Sequence, residues 1–343
     1  MMTEKDITNN FALVTADDRN SCSIKFNGNV SDCTSFMSWQ YIWGGVHYSY
    51  DAMAKDSSPL LDFKVVMFSG NPGYFTQLYN ILNRLNNKVI TIFLPEGDIS
   101  LYSEKGVTSF NKVVYDIWNK CNVIFSMEED KIPYYNLLTK TPAAFVHVPI
   151  DATMASGIFR LNKNKKNHIL IYGDNNPNCP VTVYGIASRL QKPIVAVCIT
   201  KLITADLDTV FGTNTIACFP KVGQYAYLRI LGKSYIHFYP TRWIGSAREQ
   251  IACAVAGTPC VGSDRSHTQR RLFPKLACDI YDVDRMVVLG KQLYEDKDFY
   301  KEVVDYAWKE VAFYNMENTK KRFLTACNIG EKNRNDKLLC TNK

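Results

Sequence analysis

Arg242, Ser246, Arg248 and Glu249 fall within one stretch of eight residues, just ahead of the small-residue apolar run Ile251 to Ala256. Ser246 with Glu249 three residues on is a helix start signal, in which the hydroxyl and the carboxylate satisfy the first backbone N–H groups. A helix start is also an anion site, because its unpaired N–H groups and dipole both favour negative charge. Arg242 and Arg248 flank that start. Fixed cations there would stabilise charge developing on a departing anionic group. The same four residues also read as a simple cap with a surface ion pair, an interaction of little energy.

Three other groups carry candidate chemistry. His47 and Asp51 lie one helical turn apart, and either has the reach and proton affinity of a general base. A lone histidine reads equally as a core residue. Gly44 and Gly45 would let a backbone approach a ligand with no Cβ in the way, or form an ordinary turn. Glu96 and Asp98, in Leu94-Pro95-Glu96-Gly97-Asp98, follow an apolar strand-like run, and ligands gather at the carboxyl ends of strands in open α/β sheets.

These residues must be positioned by alternating strands and helices. Strand-like runs are predicted at 36–42, 63–69, 89–94, 122–127 and 145–148, with helices at 49–54, 75–85, 109–121 and 133–138 between them. The segment 162–167, Asn-Lys-Asn-Lys-Lys-Asn, has no apolar residue and reads as a linker. Behind it the rhythm resumes. Strands are predicted at 169–172, 194–199, 215–219, 235–239, 260–262 and 279–281, and helices at 181–190, 225–232, 247–256, 268–276 and 284–294. A long helix from 298 to about 314, a short piece at 319–325 and a frayed polar tail complete the expectation. The pattern is that of two parallel α/β domains.

Composition agrees with a packed globular protein. The 343 residues are 46% hydrophobic and 21% charged, and no apolar run approaches the length of a membrane span. The polar first ten residues do not read as a signal peptide. Eleven cysteines occur without a CxxC pair, several inside apolar runs, which points to buried free thiols in the reducing cytoplasm. Charge is uneven. Residues 1–160 hold 13 Lys and Arg against 16 Asp and Glu, a net of −3, and residues 161–343 hold 27 against 17, a net of +10. The second half is therefore expected to face a phosphorylated partner. No G-x-G-x-x-G follows a strand, which disfavours a nicotinamide dehydrogenase.

A family resemblance begins at Tyr239-Pro240-Thr241 and runs through Ala252-Cys253-Ala254-Val255-Ala256-Gly257-Thr258-Pro259-Cys260-Val261-Gly262-Ser263. A strand ending in Pro-Thr, a small-residue helix, then Gly-Thr-Pro and a buried strand resembles the donor-site core of the group 1 (family 4) glycosyltransferases. Further matches follow in the family's order over roughly residues 36–325. Phe145 to Asp151 resembles the interdomain segment, Ile169 to Gly173 the first strand of the donor domain, and Phe219-Pro220-Lys221-Val222 the segment that meets the nucleobase. Gly44-Gly45 resembles the glycine loop near the donor phosphates. Two departures stand out. The family's two glutamates, eight residues apart, fall on Ile244 and Ala252 here, and Asp174-Asn175-Asn176-Pro177 replaces its Arg and Lys.

The resemblance implies a GT-B fold, with two Rossmann-like domains whose parallel sheets face across a cleft. It assigns residues 1–160 to the acceptor side, 161–314 to the nucleotide-sugar side, and 315–343 to a crossover helix and tail, with Trp308, Phe313 and Phe323 as packing anchors. The implied activity is transfer of a sugar from a nucleotide-diphosphate sugar, UDP-linked as first guess, to a hydroxyl. The nucleotide-sugar is a substrate, and no metal or cofactor is expected. Gly44, Gly45, Gly173, Lys221 (through its backbone), Val222, Thr241, Arg242, Ser246, Arg248 and Glu249 form the implied donor set. Glu249, one turn before Ala252 on the same helix face, takes the ribose in place of the absent glutamate. Glu96 and Asp98 stand on the acceptor side. The acceptor includes a hydroxymethylated base of DNA as in phage-type members, with Arg242, Arg265, Arg270 and Arg271 along the nucleic acid. A sugar-nucleotide epimerase and a non-catalytic nucleotide-sugar-binding module are the alternatives.

Overall fold

A computed structural model describes residues 1–16, 39, 42–95, 108–147, 167–173, 178–220, 222, 224–241 and 248–341. The chain forms two compact units: Met1–Pro149 with Met316–Lys343, and Ile150–Asn315.

Unit 1 is built on strands β1 (Phe11–Thr15), β2 (Val46–Ser49), β3 (Val65–Gly70), β4 (Ile90–Pro95), β5 (Val123–Ser126) and β6 (Ala143–Phe145). They form one parallel sheet in the order β2-β1-β3-β4-β5-β6. The inner strands of such a sheet are covered on both faces, and β1, β3, β4 and β5 are accordingly buried along their whole length rather than at alternate residues. Val66 and Phe68 of β3 face one core, with Phe75, Leu78 and Ile81 of helix α1 (Phe75–Leu85) and Ile117 and Trp118 of α2 (Thr108–Lys120). Val65 and Met67, one residue out of phase, face the other core, with Trp39 and Trp43.

That second core is closed by the last helix, α3 (Met316–Thr341). Phe323 lies at 4.8 Å from Trp43, 5.2 Å from both Trp39 and Phe125, and 5.9 Å from Phe11, measured between ring centroids. The predicted frayed tail is instead helical to Thr341. Its polar residues are spent on carbonyls: Asn333 Nδ2 donates to Asn122 O at 2.8 Å, and Lys337 Nζ to Asn119 O at 2.7 Å and Cys121 O at 2.6 Å, at the end of α2. Gly330 lets the helix lie against the sheet, since a Cβ there would meet Val123 Cγ1 at 3.1 Å. The chain returns to unit 1 only at Met316, so Trp308 and Phe313, expected as anchors on unit 1, belong to unit 2.

Unit 2 carries strands β7 (Ile169–Tyr172), β8 (Ile194–Val197), β9 (Thr215–Phe219), β10 (Ile236–Tyr239), β11 (Cys260–Ser263) and β12 (Ala277–Cys278). This sheet is parallel in the order β12-β11-β10-β7-β8-β9. Helices α4 (Gln224–Lys233) and α5 (Arg248–Ala256) bracket β10 in sequence and pack on each other. Every residue of α5 from Gln250 to Ala256 is buried, which explains its run of Ala, Cys and Val: small side chains let a helix sit close to its neighbours.

Three strands are displaced from expectation, the smallest shift being that of predicted 145–148, which forms β6 at Ala143–Phe145. Within the predicted strand 36–42, Trp39 and Ile42 are helical, and the first strands of the sheet are β1 and β2 on either side of that segment. The predicted strand 279–281 is instead β12 at Ala277–Cys278, after which Asp282 caps the next helix by accepting from Arg285 N.

Candidate functional site

In an open parallel sheet, ligands collect at the carboxyl edge where consecutive strands depart in opposite directions. The strand order puts that point between β7 and β10 in unit 2, and between β1 and β3 in unit 1.

The unit 2 switch point holds a polar cluster within an aromatic wall. Tyr172, the last residue of β7, packs edge-to-face on Tyr227 of α4 at 5.1 Å. The Tyr227 hydroxyl donates to Glu249 Oε2. Burial and the adjacent Glu249 carboxylate push the phenol well above its ordinary pKa, so it keeps the proton that it donates. His237 lies below, fully buried on β10, and stacks on Tyr239 at 5.8 Å. Its Nδ1 donates to Leu170 O at 3.0 Å, which leaves Nε2 as the lone-pair nitrogen. Nε2 stands 3.9 Å from Glu249 Oε2 and has no hydrogen-bond partner among the described residues. Burial lowers the imidazole pKa to about 4, so at neutral pH the two groups are a carboxylate beside a neutral ring, not an ion pair.

Glu249 is the second residue of α5, and its side chain retains 15% exposure. A carboxylate in a first turn is favoured by the helix dipole. Arg248 precedes it at the first helical position, half-buried. This helix starts beyond the carboxyl end of β10, so its first turn lies at the sheet edge where the switch point is. Gly173 prolongs β7 there, its N–H donating to Val197 O at 2.8 Å, and a Cβ would fall 2.2 Å from Ile199 Cγ1. Beside it Cys198 adopts φ +60, a left-handed conformation that costs a non-glycine residue about 1 kcal/mol or more and concentrates at functional sites. Thr241, buried after β10, closes the group, its N–H donating to Tyr239 O at 2.8 Å. Val222 is half-buried ahead of α4. Lys221, Arg242 and Ser246 lie outside the described residues.

Unit 1 corrects one expectation outright. Gly44 and Gly45 do not follow a strand; they precede β2, at the amino edge of the sheet and away from its switch point. Their conformations, φ +59 and +148, serve packing: a Cβ on Gly45 would lie 2.0 Å from Phe11 O, and one on Gly44 2.6 Å from Asn9 Oδ1. The glycines bring β2 against the start of β1. His47 is buried in β2, its Nε2 2.7 Å from Thr15 Oγ1, so it joins the carboxyl end of β1 to its neighbour and is not open to a substrate. Asp51 is exposed in the first turn of the helix Tyr50–Lys55, whose cap Ser49 accepts from Ala52 N. Ser69 and Gly70 end β3 at the switch point, with Asn71 capping the turn that follows, and Tyr50 donates its hydroxyl to Ser69 O. Glu96 and Asp98 lie outside the described residues.

Of the arginines expected along a nucleic acid, Arg265, Arg270 and Arg271 are engaged within unit 2. Arg265 faces Asp279 at 3.9 Å, Arg270 donates to Asp264 O, and the Arg271 guanidinium covers the Phe313 ring at 3.8 Å while facing Glu310 at 3.6 Å. Among the described residues no group of His, Cys, Asp and Glu has the arrangement of a metal site, and no helix is long and apolar enough to cross a membrane. Sequence reasoning missed Tyr172, Tyr227 and His237. They come from three separate elements, and only the parallel pairing of β7 with β10 brings them together.

No family model matches the sequence, and no curated protein matches it. Solved structures do. An α-glucosyltransferase in complex with UDP and a 13-mer DNA containing an HMU base aligns over 94% of this chain and 98% of its own, at 10% identity and a TM-score of 0.59. The α,α-trehalose 6-phosphate synthase of Burkholderia multivorans aligns over 94% and 98%, at 8% identity and a TM-score of 0.70. HepE of Anabaena, in complex with UDP and glucose, aligns over 91% and 98%, at 8% identity and a TM-score of 0.65. With its two six-stranded parallel sheets, the chain has the GT-B fold.

Proposed function

We propose that this chain is a glycosyltransferase that moves a sugar from a nucleotide-diphosphate sugar to an acceptor hydroxyl. The observation that carries the reading is the unit 2 switch point, where the opening turn of α5 and Arg248 adjoin the carboxylate of Glu249. Anion and hydroxyl recognition stand side by side there, which is what a nucleoside diphosphate requires. The solved structures of the same fold point the same way, since two of the three hold UDP.

In the reaction, the bond between the sugar's anomeric carbon and the diphosphate oxygen breaks. A bond from that carbon to the acceptor oxygen forms, and the acceptor's proton leaves to a base. Arg248 and the N–H groups of α5 meet the charge that collects on the departing diphosphate. Asp51, exposed in unit 1, suits the base role better than the buried His47. The diphosphate charge is met by protein groups, and the reaction needs no metal or separate cofactor. UDP is the preferred nucleotide. A hydroxymethylated base in DNA is the preferred acceptor, after the solved α-glucosyltransferase that holds an HMU base. Eight cysteines among the described residues are free thiols, which fits a reducing cytoplasm.

Thermal shift against UDP-, GDP-, ADP- and CMP-linked sugars tests the donor. One of them raises Tm in a concentration-dependent way, and a flat response to all four contradicts the reading. Incubation of UDP-glucose with hydroxymethylated duplex DNA tests the acceptor by a mass gain of one hexose on the base, and unchanged DNA removes that acceptor.

A further inference from the structure

We propose that Tyr227 is a positioning residue that makes nucleotide binding by unit 2 depend on the ribose hydroxyls, acting through Glu249. The proposal rests on the nucleotide-sugar reading above and concerns the same site.

Glu249 has an acceptor-only side chain in a place where the backbone offers donors. Its carboxylate repels phosphate, so it serves another part of the ligand. Hydroxyl groups are what a carboxylate takes up, and the vicinal diol of a ribose presents two of them at once. A free glutamate would lose the freedom of three side-chain torsions when it took that role, which weakens binding. Tyr227 removes this freedom beforehand. Its hydroxyl donates to Oε2, and its ring is buried and held edge-to-face by Tyr172 at 5.1 Å. His237 completes the support from below. As a neutral ring 3.9 Å from Oε2, it provides no cation that would draw the carboxylate down into an ion pair. Glu249 therefore stands in one orientation at the sheet edge. A phosphate or a base contact would not feel the loss of the Tyr227 hydroxyl. A contact to the ribose would.

The test is titration calorimetry of UDP, GDP and ADP and of their 2′,3′-dideoxy counterparts on the full chain, its Tyr227→Phe variant and a Tyr235→Phe control. Tyr235 donates its hydroxyl to Leu293 O at 3.1 Å from the amino end of β10, so the control removes a comparable bond far from the site. The wild type and the control bind the preferred ribonucleotide about tenfold more tightly than its dideoxy form, the size of a hydrogen bond to a charged group. In Tyr227→Phe that ratio falls below about threefold while dideoxynucleotide affinity is unchanged. Retention of the full ratio in Tyr227→Phe, or equal loss for both nucleotides, overturns the proposal. Equal wild-type affinity for both forms also overturns it and leaves the nucleotide reading standing, whereas no binding of any nucleotide overturns that reading itself. Should Tyr227→Phe fail to fold, Glu249→Gln keeps the side-chain size and the acceptor for Tyr227, and it must lower the same ratio.

Discussion

Replacing His237 with Phe should flatten the acid limb of this protein's stability curve. The imidazole is buried, and its pKa falls from 6.5 to about 4 chiefly because burial penalises the charged ring, with the Leu170 hydrogen bond acting the other way. A displacement of that size corresponds to about 3 kcal/mol. The sign follows from proton counting. Between pH 6.5 and about 4 the unfolded chain takes up a proton that the folded ring refuses, so stability falls as pH drops through this window and is complete above it. The Glu249 carboxylate, 3.9 Å away, would pair with a charged ring and recover part of the loss, so the figure is an upper bound. Urea unfolding of both proteins from about pH 7 to about pH 4.5 measures the difference in slope, and other acids cancel between them. The wild type should lose about 2 kcal/mol more than His237→Phe over that range. Parallel curves would refute the buried, neutral state of His237, and with it the support assigned to Glu249.

Other outcomes follow from single contacts. Gly45→Ala forces a Cβ to within 2.0 Å of Phe11 O at φ +148 and should destabilise unit 1 by about 3 kcal/mol or more, with UDP affinity of the folded fraction unchanged; a selective loss of UDP binding would return Gly45 to the donor site. Lys337→Met removes the cation that closes the last carbonyls of α2 and should lower unfolding stability by about 1–2 kcal/mol in urea titration, while an unchanged midpoint would show the last turns of α3 to be dispensable. Glu249→Gln and Arg248→Ala should each weaken donor use by about tenfold without loss of Tm, and wild-type activity in both would discard the site.

The sequence made unit 2 more legible than unit 1, for a physical reason. Strands β7 and β8 are continuous apolar runs bounded by turn residues, and β7 and β9 fall on their predicted residues. Helix α1 likewise carries an apolar face at helical spacing and ends at the left-handed Asn86. The opening of unit 1 hid its strands. Phe11–Thr15 is a five-residue strand at an otherwise polar start, and Val46–Ser49 mixes His and Ser into an edge strand. The aromatic run around Trp39 has residues that favour strands, but Trp39 and Trp43 meet Phe323 from the far end of the chain. The helix Lys201–Phe211 escaped because Leu202 and Val210 remain exposed, which breaks the one-sided pattern of an amphipathic helix. Glu249 was found from a local signal, the capping box. Its partners Tyr227 and His237 were not, since their meeting depends on which strands become neighbours.

Hydrogen–deuterium exchange with and without UDP tests the central claim most directly, because it reports both binding and its place. Protection should concentrate on three peptides: the end of β7 through Gly173, the end of β10 through Thr241, and the first turn of α5 at Arg248 to Gln250. Protection confined to other segments, or none at saturating UDP, would contradict a nucleotide seated at the switch point of unit 2.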